Sequence, residues 1–167
     1  MSPFLISQLL AACTLATGIV AFQFKEREHI LRGWCIAALF AAVHFYVLGS
    51  NEACFLVAIT ATRFLISSFT TDTRLMYFFM ALAIGGFAVT YENPVSFLAL
   101  AATLIGTYGS FHGSAKAVRY ALMTAEVLWV VHNFIIWSPV AVVTEVLFFA
   151  SNLIGLLRHR KANPAAL

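Results

Sequence analysis

A chain of 167 residues that is 62% hydrophobic and only 10% charged has too little polar surface to coat a water-soluble fold, which would carry about 25% charged residues. Lipid is therefore the solvent for most of its side chains. The net charge of +3 comes without a basic stripe interleaved with aromatics, which excludes a nucleic-acid binder and points instead to anionic lipid heads.

The first apolar segment runs from Pro3 to Phe24 and has no Lys or Arg before it. It lacks the positive start and small-residue cleavage site of a secretory signal, so it reads as an uncleaved first helix with its N-terminus outside. Lys25 to Arg32 then forms a basic inner loop. Segment two spans Gly33 to Gly49 and segment three Glu52 to Phe69, joined outside by Ser50 to Glu52. Thr70 to Arg74 turns inside. Segment four, Leu75 to Tyr91, carries Gly85-Gly86 in its middle, a sign of flexibility or close packing. Glu92 to Pro94 turns outside, and segment five is Val95 to Phe111. His112 to Arg119 is the next inner loop, followed by segment six, Tyr120 to Trp137. Ser138-Pro139 turns outside, with Pro at a helix start where its missing N–H costs nothing. Segment seven is Val140 to Leu157, and His159 to Leu167 is a basic inner tail.

Each span is about 17–22 residues, enough to cross the hydrocarbon layer at the rise of an α-helix. Nine of the ten Lys and Arg residues fall in alternate gaps and the tail: Lys25, Arg27, Arg32, Arg74, Lys116, Arg119, Arg158, Arg160 and Lys161. Lys and Arg stay on the cytoplasmic side, so the pattern sets seven crossings, a periplasmic N-terminus and a cytoplasmic C-terminus. Nothing alternates as a β-barrel strand does. Cys13, Cys35 and Cys54 form no CxxC and read as small packing residues.

The chain repeats itself at an offset of 88 residues: Leu10 meets Leu98, Ala11 meets Ala99, Gly18 meets Gly106, Ala37 meets Ala125, Val43-His44 meets Val131-His132, and Ser50 meets Ser138. One residue inserted after Ser138 then sets Arg63 opposite Asn152. The small-residue stripe Ala11, Thr14, Gly18, Ala21 returns as Ala99, Ala102, Gly106, Gly109. Such stripes let helix backbones approach closely in lipid. The expected fold is thus all-α, with two parallel three-helix repeats (1–70 and 94–158), a linker helix (71–93) and a short tail (159–167). Solute sites in parallel-repeat transporters lie near the midplane between the repeats.

Three formal charges lie inside the spans: Arg63, Glu126 and Glu145. A charge at the bilayer centre costs at least about 2.5–3.5 kcal/mol, so each must face the bundle interior and find partners. Thr60, Arg63, Ser67 and Thr70 share one helix face. Glu126 and Asn133 are seven apart on the sixth segment, Glu145 and Asn152 seven apart on the seventh. Arg63 with a Glu is either a structural ion pair or the cation of a solute site, and a surplus carboxylate is a candidate proton carrier. His44 and His132 occupy matching places near the outer ends. They either hydrogen-bond neighbouring helices, line a gate, or, if both rings converge, ligate a haem. Trp129 either packs or stacks on a planar solute. No hydrolase, phosphate-loop or dinucleotide motif occurs, so no enzyme, cofactor or metal is expected.

Val43-His44-Phe45, Leu48-Gly49 and Arg63 in the first half, and Trp129 to Phe134, Glu145 and Asn152 in the second, resemble the YgjV-type family of bacterial inner-membrane proteins. His44, Arg63, His132, Asn133, Glu145 and Asn152 fit that pattern; Glu126 does not belong to it. The chain is also distantly similar to the 3+1+3 transporters of the SWEET, PQ-loop and nicotinamide-riboside-importer group. In that group's sugar carriers, Asn residues on helices three and seven line the pocket. Arg63 and Asn152 hold those places here, which implies an anionic or zwitterionic solute rather than a neutral sugar. The Pro-Gln signature and mid-helix prolines of that group are missing. The resemblance implies a multi-pass inner-membrane transporter, acting singly or as a homo-oligomer. The rival reading is a membrane interaction or structural subunit that moves no solute.

Overall fold

The computed structural model describes residues 2–49, 51–91, 93–135 and 137–162, and among them the only regular elements are seven α-helices. These are α1 (Pro3–Ala21), α2 (Arg27–Val47), α3 (Asn51–Phe69), α4 (Thr73–Thr90), α5 (Ser96–Ser110), α6 (Ala115–Ile135) and α7 (Pro139–Ala162). By length and composition, α1, α2 and Pro139–His159 of α7 can each cross a membrane. Leu56–Phe69, Thr73–Val89 and Ser96–Ser110 are shorter apolar stretches. The turn residues Ser50 and Glu92 and the tail beyond Ala162 lie outside the described residues.

Local chemistry explains the helix starts. The Ser2 hydroxyl accepts from the Leu5 N–H at 3.3 Å, with Pro3 in the first turn. The Asp72 carboxylate accepts from Arg74 N–H at 2.8 Å and opens α4, and the Ser114 hydroxyl accepts from Ala117 N–H at 3.1 Å and opens α6. Two helix starts differ from expectation. α2 begins at Arg27 and α6 at Ala115, so Arg27, Arg32, Lys116 and Arg119 are helical rather than in loops. The tail is helical as far as Ala162. Charged side chains mark where apolar side chains stop, but the backbone goes on pairing with itself past that point.

The chain forms two compact units, residues 1–69 and 70–167. In the first, α1 and α3 both pack on α2. An aromatic group ties them: Trp34 lies 5.2 Å from Phe22 and 5.9 Å from Phe64, centroid to centroid. In the second unit α5 and α7 both pack on α6, and α4 packs on α5, where Phe79 stacks on Phe111 at 6.0 Å. Large apolar residues such as Phe4, Phe134 and Val140 are exposed, as lipid-facing positions are.

The small-residue stripes face their neighbours: Gly18, Ala21, Ala102, Gly106 and Gly109 are buried. At the α1–α2 crossing and at the α5–α6 crossing one glycine is required. A Cβ on Gly33 of α2 would stand 2.6 Å from the Ala21 Cβ of α1, and one on Gly109 of α5 would stand closer still to the Ala121 Cβ of α6. Ala21 and Gly109 are 88 residues apart, as are Gly33 and Ala121. The two crossings thus occupy one position in the 88-residue register with glycine and alanine exchanged. The two described residues with positive φ obey the same offset: Gly49 at 76° after α2, and Trp137 at 61° after α6. Gly85 and Gly86 differ from the close-packing reading, since a Cβ on either would meet open space within the chain.

Candidate functional site

Two of the expected site residues lie in the first unit. Arg63, in the interior of α3, is buried, with its guanidinium 4.6 Å from the ring centroid of neighbouring Phe64. Cation–π contact of this kind offsets part of the cost of removing the charge from water. Below it, Ser67 turns its hydroxyl back to the Phe64 carbonyl at 3.1 Å. The Ser67 carbonyl accepts from the Arg27 guanidinium at the start of α2. Arg27 thus caps the C-terminal end of α3, where free carbonyls and the helix dipole favour a cation. His44, near the C-terminal end of α2, has Nδ1 2.8 Å from the Ser7 carbonyl of α1. A carbonyl only accepts, so Nδ1 is the donor in this contact. This is the neighbour-bonding role for His44.

The other six lie in the second unit. His132 places Nδ1 3.2 Å from the Asn133 side-chain oxygen, and Trp129 meets the His132 ring edge-on at 5.3 Å. Glu126 and Asn133 are buried on α6 and Glu145 is half-buried on α7, within electrostatic reach of Glu126. Asn152 of α7 is fully buried and has both ends of its amide engaged. Its oxygen accepts from Arg119 Nη1 at 3.2 Å, and its NH2 donates to the Arg119 carbonyl at 3.0 Å.

Sequence reasoning missed Arg119 and Arg27, both buried, because it placed them in loops. One signal could have found Arg119: it stands seven residues before Glu126, as Asn133 stands seven after, so the three share a helix face. In the 88-residue register Arg119 matches Leu31, and Asn152 matches Arg63 once the single insertion is counted. The first unit carries its guanidinium on α3 directly. The second carries it on α6, resting on the residue that takes Arg63's place.

A family model for Imp-YgjV, described as a bacterial inner membrane protein, matches residues 5–163. The chain belongs to this family. It is similar to inner membrane protein YgjV of Escherichia coli (strain K12), with 23% identity over 158 residues that span 95% of this chain and 86% of that protein. No solved structure matches. Family membership and the apolar helices together place this YgjV-family chain in the bacterial inner membrane.

Proposed function

We propose that the protein is a transporter of a small polar solute, anionic or zwitterionic, whose charged group is held by Arg63. In this reading all seven helices cross the membrane, the N-terminus is periplasmic and the C-terminus cytoplasmic. α1–α3 and α5–α7 are parallel repeats joined by α4. The distant resemblance to the SWEET and PQ-loop carriers suggests the same plan.

The observation that carries the reading is Arg63 itself: a guanidinium buried in the interior of an apolar helix, six residues before its end. Ionisable groups at that depth are expensive and are by default functional. The matched glycine–alanine crossings and the matched positive-φ positions support the duplicated plan. In the first unit His44 lies toward the end of α2; in the second, His132, Asn133 and Trp129 cluster toward the end of α6, and Asn152 holds Arg119 as a second fixed cation. The test is uptake into proteoliposomes from a panel of small carboxylates, phosphates and amino acids. Flux for one solute class is expected, lost in Arg63→Ala and partly kept in Arg63→Lys. Flux unchanged in a well-folded Arg63→Ala protein would remove the site.

One observation favours the rival reading of a structural subunit without solute: Asn152 and Arg119 close on each other, as groups in a structural lock do. Melting the solubilised protein against the same panel separates the two. A bound solute stabilises by mass action, whereas a subunit without a site shows no shift with any compound.

A further inference from the structure

Among the described residues, Glu126 is the carboxyl group that the packing isolates. It is 5% exposed, and neither side-chain oxygen reaches solvent or has a hydrogen-bond partner among the described residues. An ionised carboxylate in that position has exchanged water for nothing, a loss of several kcal/mol or more. The helix that packs on α6 from the other side of the group adds Glu145, a second carboxyl within repulsive range. Two carboxylates in one poorly solvated place cannot both stay ionised, and a shared proton is the ordinary resolution.

Among the described residues of α6 and the two helices packed on it, no group substitutes for that proton. α5, the other helix packed on α6, has no Asp, Glu, Lys, Arg or His between Ser96 and Ser110, and its Tyr108 is exposed. On α6, Arg119 lies two turns toward the N-terminal end and bonds Asn152, and His132 lies nearly two turns toward the C-terminal end and bonds Asn133. On α7, the remaining ionisable groups are Arg158, His159, Arg160 and Lys161, a turn or more beyond Asn152. No group of three His, Cys, Asp or Glu side chains among the described residues could hold a metal ion. Two carboxyls are also too few oxygens for calcium, which takes six to eight.

We propose that Glu126 and Glu145 form a proton-binding site on the facing sides of α6 and α7, holding one proton between them at neutral pH. The proton comes from water, protonates one carboxylate oxygen, and leaves the pair with a single negative charge. Its use as the coupled ion of transport rests on the transporter reading; the site itself does not.

Infrared difference spectroscopy of the lipid-reconstituted protein, titrated across neutral pH, tests the site. The protein has only seven Asp and Glu residues, so the carbonyl stretch of a protonated carboxylic acid stands on a small background. That band is expected at neutral pH, absent from Glu126→Gln and displaced or absent in Glu145→Gln. Glutamine keeps the shape of the protonated acid. If one variant does not fold, the other decides the question. No such band in the wild-type protein, or a band unaltered in every folded variant, overturns the proposal. In proteoliposomes an imposed pH gradient should drive uptake in the wild type and not in Glu126→Gln. A band without any flux defeats only the transporter reading, and flux without a band defeats only the proton site.

Discussion

Replacing Asn152 by leucine keeps its branched shape and removes the two bonds it makes to Arg119. The lost contacts are one charge-assisted bond of 3.2 Å and one neutral bond of 3.0 Å, both buried. Water-based estimates put the first at about 1.5–3 kcal/mol and the second at about 0.5–1.5 kcal/mol. The first bond is long for a charged donor, so its lower limit applies. Side-chain bonds within bilayers average about 0.6 kcal/mol and reach about 1.7 kcal/mol. The two scales meet near 2 kcal/mol for the pair, or a fall in Tm of about 4–8 °C for a chain of this size. The assay is thermal unfolding in detergent of Asn152→Leu, Arg119→Met and the double variant. The double variant should melt close to the worse single one, giving a coupling energy near 2 kcal/mol. If the two effects add within about 0.5 kcal/mol, the side chains do not act as a pair and the reasoning fails.

The crossing of α5 and α6 gives a sharper geometric test. Gly109→Ala sets two Cβ atoms into one space and should destabilise by about 1–3 kcal/mol. Adding Ala121→Gly should restore the melting temperature, since it reproduces the arrangement of Ala21 and Gly33; a double variant no better than the single one contradicts this. At Gly49, φ is 76° and nothing lies near a Cβ. Gly49→Ala should therefore lose about 1–2 kcal/mol from backbone conformation alone and Gly49→Asn less, as denaturation would report. Orientation is checked in cells with Cys13, Cys35 and Cys54 replaced by alanine. A membrane-impermeant maleimide should label Asn93→Cys in intact spheroplasts and Gly113→Cys only after permeabilisation. Reversed labelling would invert the assigned sidedness.

The seven helices were legible because each is a long apolar run bounded by turn residues such as Asp72, Pro94 and Pro139. The starts of α2 and α6 were not. Arg27 and Arg119 look like loop cations in sequence, yet both fold into helices and bury their head groups on polar groups of the next helix. A guanidinium on a long apolar stem can reach inward as readily as outward, and hydropathy cannot tell which. The shared face of Glu126 and Asn133 follows from helical spacing. The closure of Asn152 on Arg119 does not, because 33 residues separate them and only the packing of α6 on α7 sets their depth. Trp137 in the left-handed region was equally hidden, since tryptophan has no preference for that conformation.

The exchanged glycine and alanine at the two crossings limit how such a chain can change. Each junction admits a single methyl group, on either helix. Moving that methyl from one side to the other must pass through a bare glycine pair, which merely leaves a gap. The route through two alanines would prise the helices apart. A junction of this kind can therefore change from one arrangement to the other without losing the contact, provided that shrinkage comes before growth.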